Sequence, residues 1–119
     1  MKIAVTSQGI DLDAQVDPRF GRAAYILIVD PETLELEVLD NAANVNAFKG
    51  AGIQAASMIS DKGVSILLTG YCGPNAFRTL AAAKIQVASD VAGTVREAVQ
   101  AYNDGKVTVA AEPNVDGHW

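Results

Sequence analysis

The chain has 119 residues and a mass of 12.4 kDa, which reads as one domain, 1–119, with 106–119 as its C-terminal tail. Half of the residues are hydrophobic, enough for a chain of this size to bury about two-thirds of its unfolded surface without a disulfide or structural metal. A net charge of −5 argues against a nucleic-acid partner, which needs a basic face. A single cysteine, Cys72, rules out an internal disulfide and any self-contained CxxC, zinc-finger or four-cysteine iron–sulfur site. A single histidine, His118, argues against Ser–His–Asp hydrolysis. No run approaches about 18 apolar residues, so no membrane partner is expected. The N-terminal apolar stretch is too short for a signal peptide, and the lone thiol suits a reducing compartment, so the expected location is cytoplasmic.

Residues 3–6 form a short apolar run that reads as a buried strand. Residues 7–22 are polar, carry Gly9, Pro18 and Gly21, and read as a long loop, a kind of segment that is more often functional than idle. Residues 23–29 (AAYILIV) are continuously apolar, as in a central strand. Asp30-Pro31-Glu32-Thr33 is turn chemistry. Residues 34–39 then alternate Leu34, Leu36 and Val38 against Glu35 and Glu37, which predicts an edge strand paired as a hairpin with the one before.

Residues 40–49 form a second polar loop with three asparagines. Helical spacing over 50–61 puts Ile53, Ala56 and Ile59 or Ser60 on one side, with Gly63 placed to end the helix. Residues 64–69 (VSILLT) read as another buried strand. Gly70-Tyr71-Cys72-Gly73 leads into Pro74, a favoured first helical residue, and Phe77, Leu80 and Ala81 supply that helix's apolar stripe. A short strand follows at 85–88. Thr94 and Glu97 form a capping box, so a third helix runs from Val95 to about Asn103 and ends at Gly105. The remainder shows no periodicity.

The order β, β, β, α, β, α, β, α predicts an α/β fold with a mixed sheet. Strands joined through helices run parallel, and the first three strands run antiparallel. With the first strand pointing up, loops 7–22, 40–49, 70–73 and 89–93 share one rim. Ligands of open α/β sheets bind outside the carboxyl ends of parallel strands. Three predicted helices start at that rim, at Gly50, Pro74 and Val95, each presenting unpaired N–H groups and a positive dipole end. Gly50, Gly52, Gly70, Gly73 and Gly93 leave the backbone open to a ligand. Arg19, Arg22 and Lys49 lie in the same loops. The chemistry is that of an anion pocket in an otherwise acidic protein.

The segments Asp17-Pro18-Arg19-Phe20-Gly21-Arg22-Ala23, Gly50-Ala51-Gly52-Ile53-Gln54-Ala55-Ala56 and Thr69-Gly70-Tyr71-Cys72-Gly73-Pro74-Asn75-Ala76-Phe77 together resemble the dinitrogenase iron–molybdenum cofactor biosynthesis family. That family includes NifX-like carriers and the C-terminal part of NifB-like proteins. The cysteine segment and the closing Gly117-His118-Trp119 most resemble its orange-protein branch from sulfate-reducing bacteria. The resemblance implies a ribonuclease-H-like fold, here a mixed five-stranded sheet flanked by three helices. It implies non-catalytic storage or delivery of an anionic metal–sulfur cluster, with cluster-assembly or recipient proteins as partners. For that branch it implies a molybdenum–copper sulfide cluster held without covalent ligands, the alternative being an iron–molybdenum cofactor precursor. A monomer is expected. Two positions depart from the family pattern: Tyr71 stands where many relatives have His, and Lys84 where a helix-capping glycine is common.

Each candidate has a functional and a structural reading. Arg19 and Arg22 either bind the cluster's sulfides or pair with Asp13, Asp17 or other local acids. Lys49 either joins them or is simply solvated. Cys72 is either a soft metal ligand, made thiolate by the helix N-terminus, or a small residue filling the strand end. His118 either ligates metal or belongs to a frayed tail. Phe20 and Tyr71 either wall the pocket or, for Phe20, pack in the core. Asn44 and Asn46 either donate to the ligand or form turns. A rival function is a small enzyme acting on a phosphorylated ligand with Cys72 as nucleophile. No P-loop motif is present to support nucleotide hydrolysis.

Overall fold

The computed structural model describes residues 2–41 and 50–110. Five strands form one sheet: β1 (Lys2–Ser7), β2 (Tyr25–Val29), β3 (Leu36–Asp40), β4 (Val64–Leu68) and β5 (Gln86–Ala88). Three helices are described: α1 (Ala51–Ser60), α2 (Pro74–Ala82) and α3 (Val95–Asn103). The strand order is β3-β2-β1-β4-β5. β1 is antiparallel to β2 and parallel to β4, while β2–β3 is antiparallel and β4–β5 parallel. This is the mixed α/β sheet expected from the order of elements and from the ribonuclease-H-like resemblance. Among the described residues no helix is long and apolar enough to cross a membrane.

The continuous apolar runs arise because the sheet is covered on both faces. Alternate residues of each strand go to opposite layers. Ala4, Ile26, Ile28 and Leu67 face a layer completed by Ala55, Ala56 and Ile59 of α1 and Ala76 and Leu80 of α2. Ile3, Val5, Leu27, Val29, Ile66 and Leu68 face Val95, Ala98 and Val99 of α3. The rim is set by register: Ser7 pairs with Tyr25, and Tyr25 with Asp40. The ends of β1, β4 and β5 therefore point to the same edge as the start of β2 and the end of β3.

Several local expectations are corrected. Leu34 is not in the edge strand. It takes φ 64° and donates its N–H to Asp30 O at 2.8 Å, closing the hairpin turn, and β3 starts at Leu36. Val38 is exposed, while Leu39 packs into the α1–α2 layer. Ile53 is also exposed; Ala56 and Ile59 are buried as expected, and Ala51 and Ala55 join them in place of Ile53. Four positions repeat on a helix face, but only contact with the sheet decides which of two neighbouring stripes turns inward. In α2 the buried pair is Ala76 and Leu80, Phe77 is half-buried, and Ala81 is exposed.

The start of the tail is ordered against the sheet. Val109 bridges Ala88, and Ala110 N–H donates to Val87 O at 2.7 Å, covering the outer edge of β5. The capping box at Thr94 forms as expected: Glu97 N–H donates to Thr94 Oγ1 at 3.1 Å, and Thr94 N–H to Glu97 Oε1 at 2.9 Å. Such a cap is worth about 1 kcal/mol.

Candidate functional site at the strand rim

Residues 7–22, expected as a long loop, are stitched to the rim along their length. Ser7 bridges Val16, Gln15 bridges Thr94, and Arg19 bridges Tyr71. The first stretch closes the start of α3. Val95 N–H donates to Ala14 O at 2.9 Å and Arg96 N–H to Leu12 O at 2.8 Å. With Glu97 N–H held by Thr94, the first three N–H groups of α3 have protein partners, and the Glu97 carboxylate sits at the same end. The Thr94 backbone N–H, helped by the Thr94 side chain, holds that carboxyl below its usual range. The expectation that all three helix starts serve an anion is thus corrected for α3: its N-terminus is used structurally.

α1 and α2 differ. Gly50 caps α1 in the left-handed conformation at φ 79°, and Gly73 caps α2 in extended conformation with Pro74 as first residue. Neither helix has a side-chain cap or an acidic residue in its first turn. Their first turns touch: a Cβ on Gly52 would lie 2.9 Å from Ala76 Cβ. Two positive helix ends therefore adjoin.

The second half of the loop, with the two arginines, crosses this junction. A Cβ on Gly21 would lie 2.8 Å from Gly52 Cα, and a Cβ on Gly70 would lie 2.7 Å from Pro18 O. Gly21, Gly52 and Gly70 are thus sites of close backbone approach within the protein. For Gly52 and Gly70 the expectation that the bare side faces a ligand is replaced by this packing, and Gly21, a candidate cofactor-binding residue by its place in the arginine loop, packs on the start of α1. Among the described residues a Cβ on Gly50 would meet nothing within 4 Å, and Gly73, at the start of α2, stays partly exposed.

Arg19 is half-exposed. Its Nε stands 3.8 Å from Asp17 Oδ1, and Asp17 Oδ1 accepts the Arg19 backbone N–H at 3.1 Å. A pair this exposed on the arginine side is worth little and leaves the guanidinium edge accessible. Asp13 pairs with Arg96 at 3.1 Å, away from both candidate arginines. Arg22 is half-buried, and the loop around it is pinned by Asn41. The Asn41 Nδ2 donates to Ala23 O at 2.8 Å and to Gly21 O at 3.2 Å. Tyr71 is 40% exposed beside Arg19, whereas Phe20 is 2% exposed and belongs to the core.

Cys72 is 1% exposed and packs in the α1–α2 layer. Burial pushes its thiol up to about 12. The expected lowering by the helix start is overturned, because removing the thiolate from water outweighs the dipole of one short helix. Among the described residues no group of three His, Cys, Asp or Glu side chains is placed to hold a metal ion. Asn44, Asn46, Lys49 and His118 lie outside the described residues.

Thr6 and Thr69, which the sequence reading passed over, are fully buried at the rim and bonded to each other. Their signal was a hydroxyl residue ending each of two apolar strand runs.

Comparison with known proteins agrees with this architecture. Residues 1–105 match the family described as dinitrogenase iron-molybdenum cofactor. The apo form of the orange protein from Desulfovibrio gigas is 50% identical, with a TM-score of 0.93 over 96% of each chain. A candidate NifB protein from Thermotoga is 36% identical, with a TM-score of 0.78 over 91% of each chain. An uncharacterized protein from Methanocaldococcus jannaschii is 26% identical over 90% of this chain and 93% of its own length. With the match covering nearly the whole domain, the chain belongs to the dinitrogenase iron–molybdenum cofactor family.

Proposed function

We propose that this protein binds and carries an anionic metal–sulfur cluster as cargo, without catalysing a reaction on it. The observation that carries this reading is the junction of α1 and α2. Two uncapped helix starts with no acidic residue in their first turns lie under a loop bearing Arg19 and Arg22, in a chain of net charge −5. Backbone N–H groups and guanidinium groups suit sulfide and other soft anions through charge-assisted hydrogen bonds.

The donor set fits a preassembled cluster better than a metal ion ligated one side chain at a time. Cys72 is buried in the α1–α2 layer and burial raises its thiol pKa, which supports a packing role over ligation in this reading. The same burial speaks against Cys72 as the nucleophile of an enzyme acting on a phosphorylated ligand, since the thiolate is the reactive form. Family membership supports a cluster related to iron–molybdenum cofactor assembly. Within that class we favour the molybdenum–copper sulfide cluster that the sequence's resemblance to the orange-protein branch implies, a branch to which the structural likeness also points. In this reading the protein acts as a monomer that delivers its cargo to a cluster-assembly or recipient protein.

The test is reconstitution. Apo-protein is mixed with tetrathiomolybdate, with and without copper, desalted, and analysed for metal, sulfide and visible absorption. Retained colour with copper favours the molybdenum–copper cargo. Retention of tetrathiomolybdate alone favours the broader anionic-sulfide class. Colourless, metal-free protein in both arms refutes the carrier reading. Cys72→Ala is expected to keep binding, whereas loss of binding in a folded Cys72→Ala protein would refute the non-ligating assignment.

A further inference from the structure

We propose that Thr6 and Thr69 form a buried hydroxyl relay whose role is to position Arg19 at the anion site, and that they set binding affinity without touching the cargo. The inference rests on the carrier reading above.

The relay's direction follows from counting protons. Thr6 Oγ1 lies 2.6 Å from Asp17 O and 2.9 Å from Thr69 Oγ1. A backbone carbonyl only accepts, so the single Thr6 hydroxyl proton goes to Asp17 O. Thr69 must then donate to Thr6 Oγ1. The chain Thr69 → Thr6 → Asp17 is thus fixed, and each link polarises the next. Thr6 also holds residue 17 from its other side: Asp17 N–H donates to Thr6 O at 2.9 Å. Both threonines and Asp17 are buried, so water cannot replace a lost link without entering the sheet.

From Asp17 the constraint passes to Arg19. Asp17 Oδ1 accepts the Arg19 N–H. On either side of Arg19, Tyr71 N–H donates to Pro18 O at 2.6 Å and Phe20 N–H donates to Tyr71 O at 3.1 Å. Arg19 is therefore held at residues 17, 18 and 20, all referred to the ends of β1 and β4. Valine would fill nearly the same volume at either strand end but would leave Asp17 O without the Thr6 hydroxyl.

The experiment uses the full chain with Thr6→Val, Thr6→Ser and Thr69→Val, alone and combined with Arg19→Gln. Two readouts are taken: amide hydrogen exchange of the apo-protein, and tetrathiomolybdate affinity by absorbance titration. In Thr6→Val, protection of the Asp17 and Phe20 amides is expected to fall at least tenfold relative to Leu67, while Thr6→Ser keeps it. Arg19→Gln is expected to weaken binding about tenfold in the parent and in Thr6→Ser, the size of one charge-assisted bond. In Thr6→Val it should have almost no further effect, because the arginine is already displaced. Thr69→Val, which leaves the Thr6–Asp17 bond in place, should fall between parent and Thr6→Val; it also serves if Thr6→Val fails to fold. The proposal is overturned if loop protection is unchanged in the valine variants, or if Arg19→Gln costs as much in them as in the parent. Parent protein that does not bind tetrathiomolybdate would sink the carrier reading instead. The exchange data would still decide the relay.

Discussion

Gly21 and Gly50 offer a matched pair of perturbations. Both sit at positive φ, 92° and 79°, so replacement by alanine strains the backbone at both, by about 1–2 kcal/mol. They differ in room. Among the described residues a Cβ on Gly50 meets nothing within 4 Å, whereas one on Gly21 stands 2.8 Å from Gly52 Cα and 2.9 Å from Gly52 N. Those are backbone atoms and cannot rotate aside, so the loop or α1 must move, at a further cost of about 1–3 kcal/mol. Near the midpoint, 1 kcal/mol is worth about 4 °C in a domain of this size. Gly50→Ala should therefore lower Tm by about 4–8 °C, and Gly21→Ala by about 8–20 °C. Thermal unfolding followed by circular dichroism measures both, and a tetrathiomolybdate titration reads the site. Gly21→Ala should also weaken binding, since it lifts the arginine loop from the start of α1. A Gly21→Ala protein as stable as Gly50→Ala would refute the close approach and with it the geometry of the site.

Three other outcomes are expected. Cys72 should resist a thiol reagent at pH 8 in the folded protein and react fully after unfolding. With the folded thiol held near 12 and the unfolded one at its ordinary value, the unfolded state loses its proton first. Stability should then fall as pH rises above about 9, up to about 12, and a urea midpoint that is flat over that window in parent relative to Cys72→Ala would contradict the burial. Lys84→Gly should stabilise by about 0.5–1 kcal/mol. Lys84 takes φ 63° at the end of α2, where its N–H reaches Ala81 O and the Ile85 N–H reaches Leu80 O. α3 ends with the same pair of bonds, from Gly105 to Tyr102 and from Lys106 to Ala101, with a glycine at the left-handed position. Urea unfolding measures it, and no gain would refute the strain. Finally, Gly52→Ala and Ala76→Gly should each destabilise, yet the double exchange should recover at least about 1 kcal/mol of the summed loss. Simple additivity would show that the two first turns are not in contact.

The elements themselves were legible because their signals are local. Buried strands read as apolar runs, the capping box at Thr94 and Glu97 gave the start of α3, and Pro74 gave the start of α2. Lys84 was marked as standing in a glycine position, and its backbone is left-handed there. The site was only partly legible. Arg19 bridges Tyr71 at the rim, and the loop that also carries Arg22 packs on the start of α1 through Gly21. What a glycine's open side faces was not readable, since Gly21, Gly52 and Gly70 each meet a segment distant in sequence. Nor was the state of Cys72, because a helix start and a buried layer push a thiol in opposite directions, and only the depth of burial decides.

Length, charge and residue counts by themselves determined the class of answer. With one cysteine, one histidine and a net charge of −5, the chain lacks the Cys and His side chains for a soft metal centre of its own, and an anion it holds needs local positive charge. The tertiary structure decided where that charge is. The loop that closes the start of α3 leaves α1 and α2 without a side-chain cap among the described residues, and its second half brings Arg19 and Arg22 over their junction. Sequence order cannot specify this choice. Whether a helix N-terminus is available depends on which distant carbonyls reach its N–H groups, and that is settled only when the loop packs.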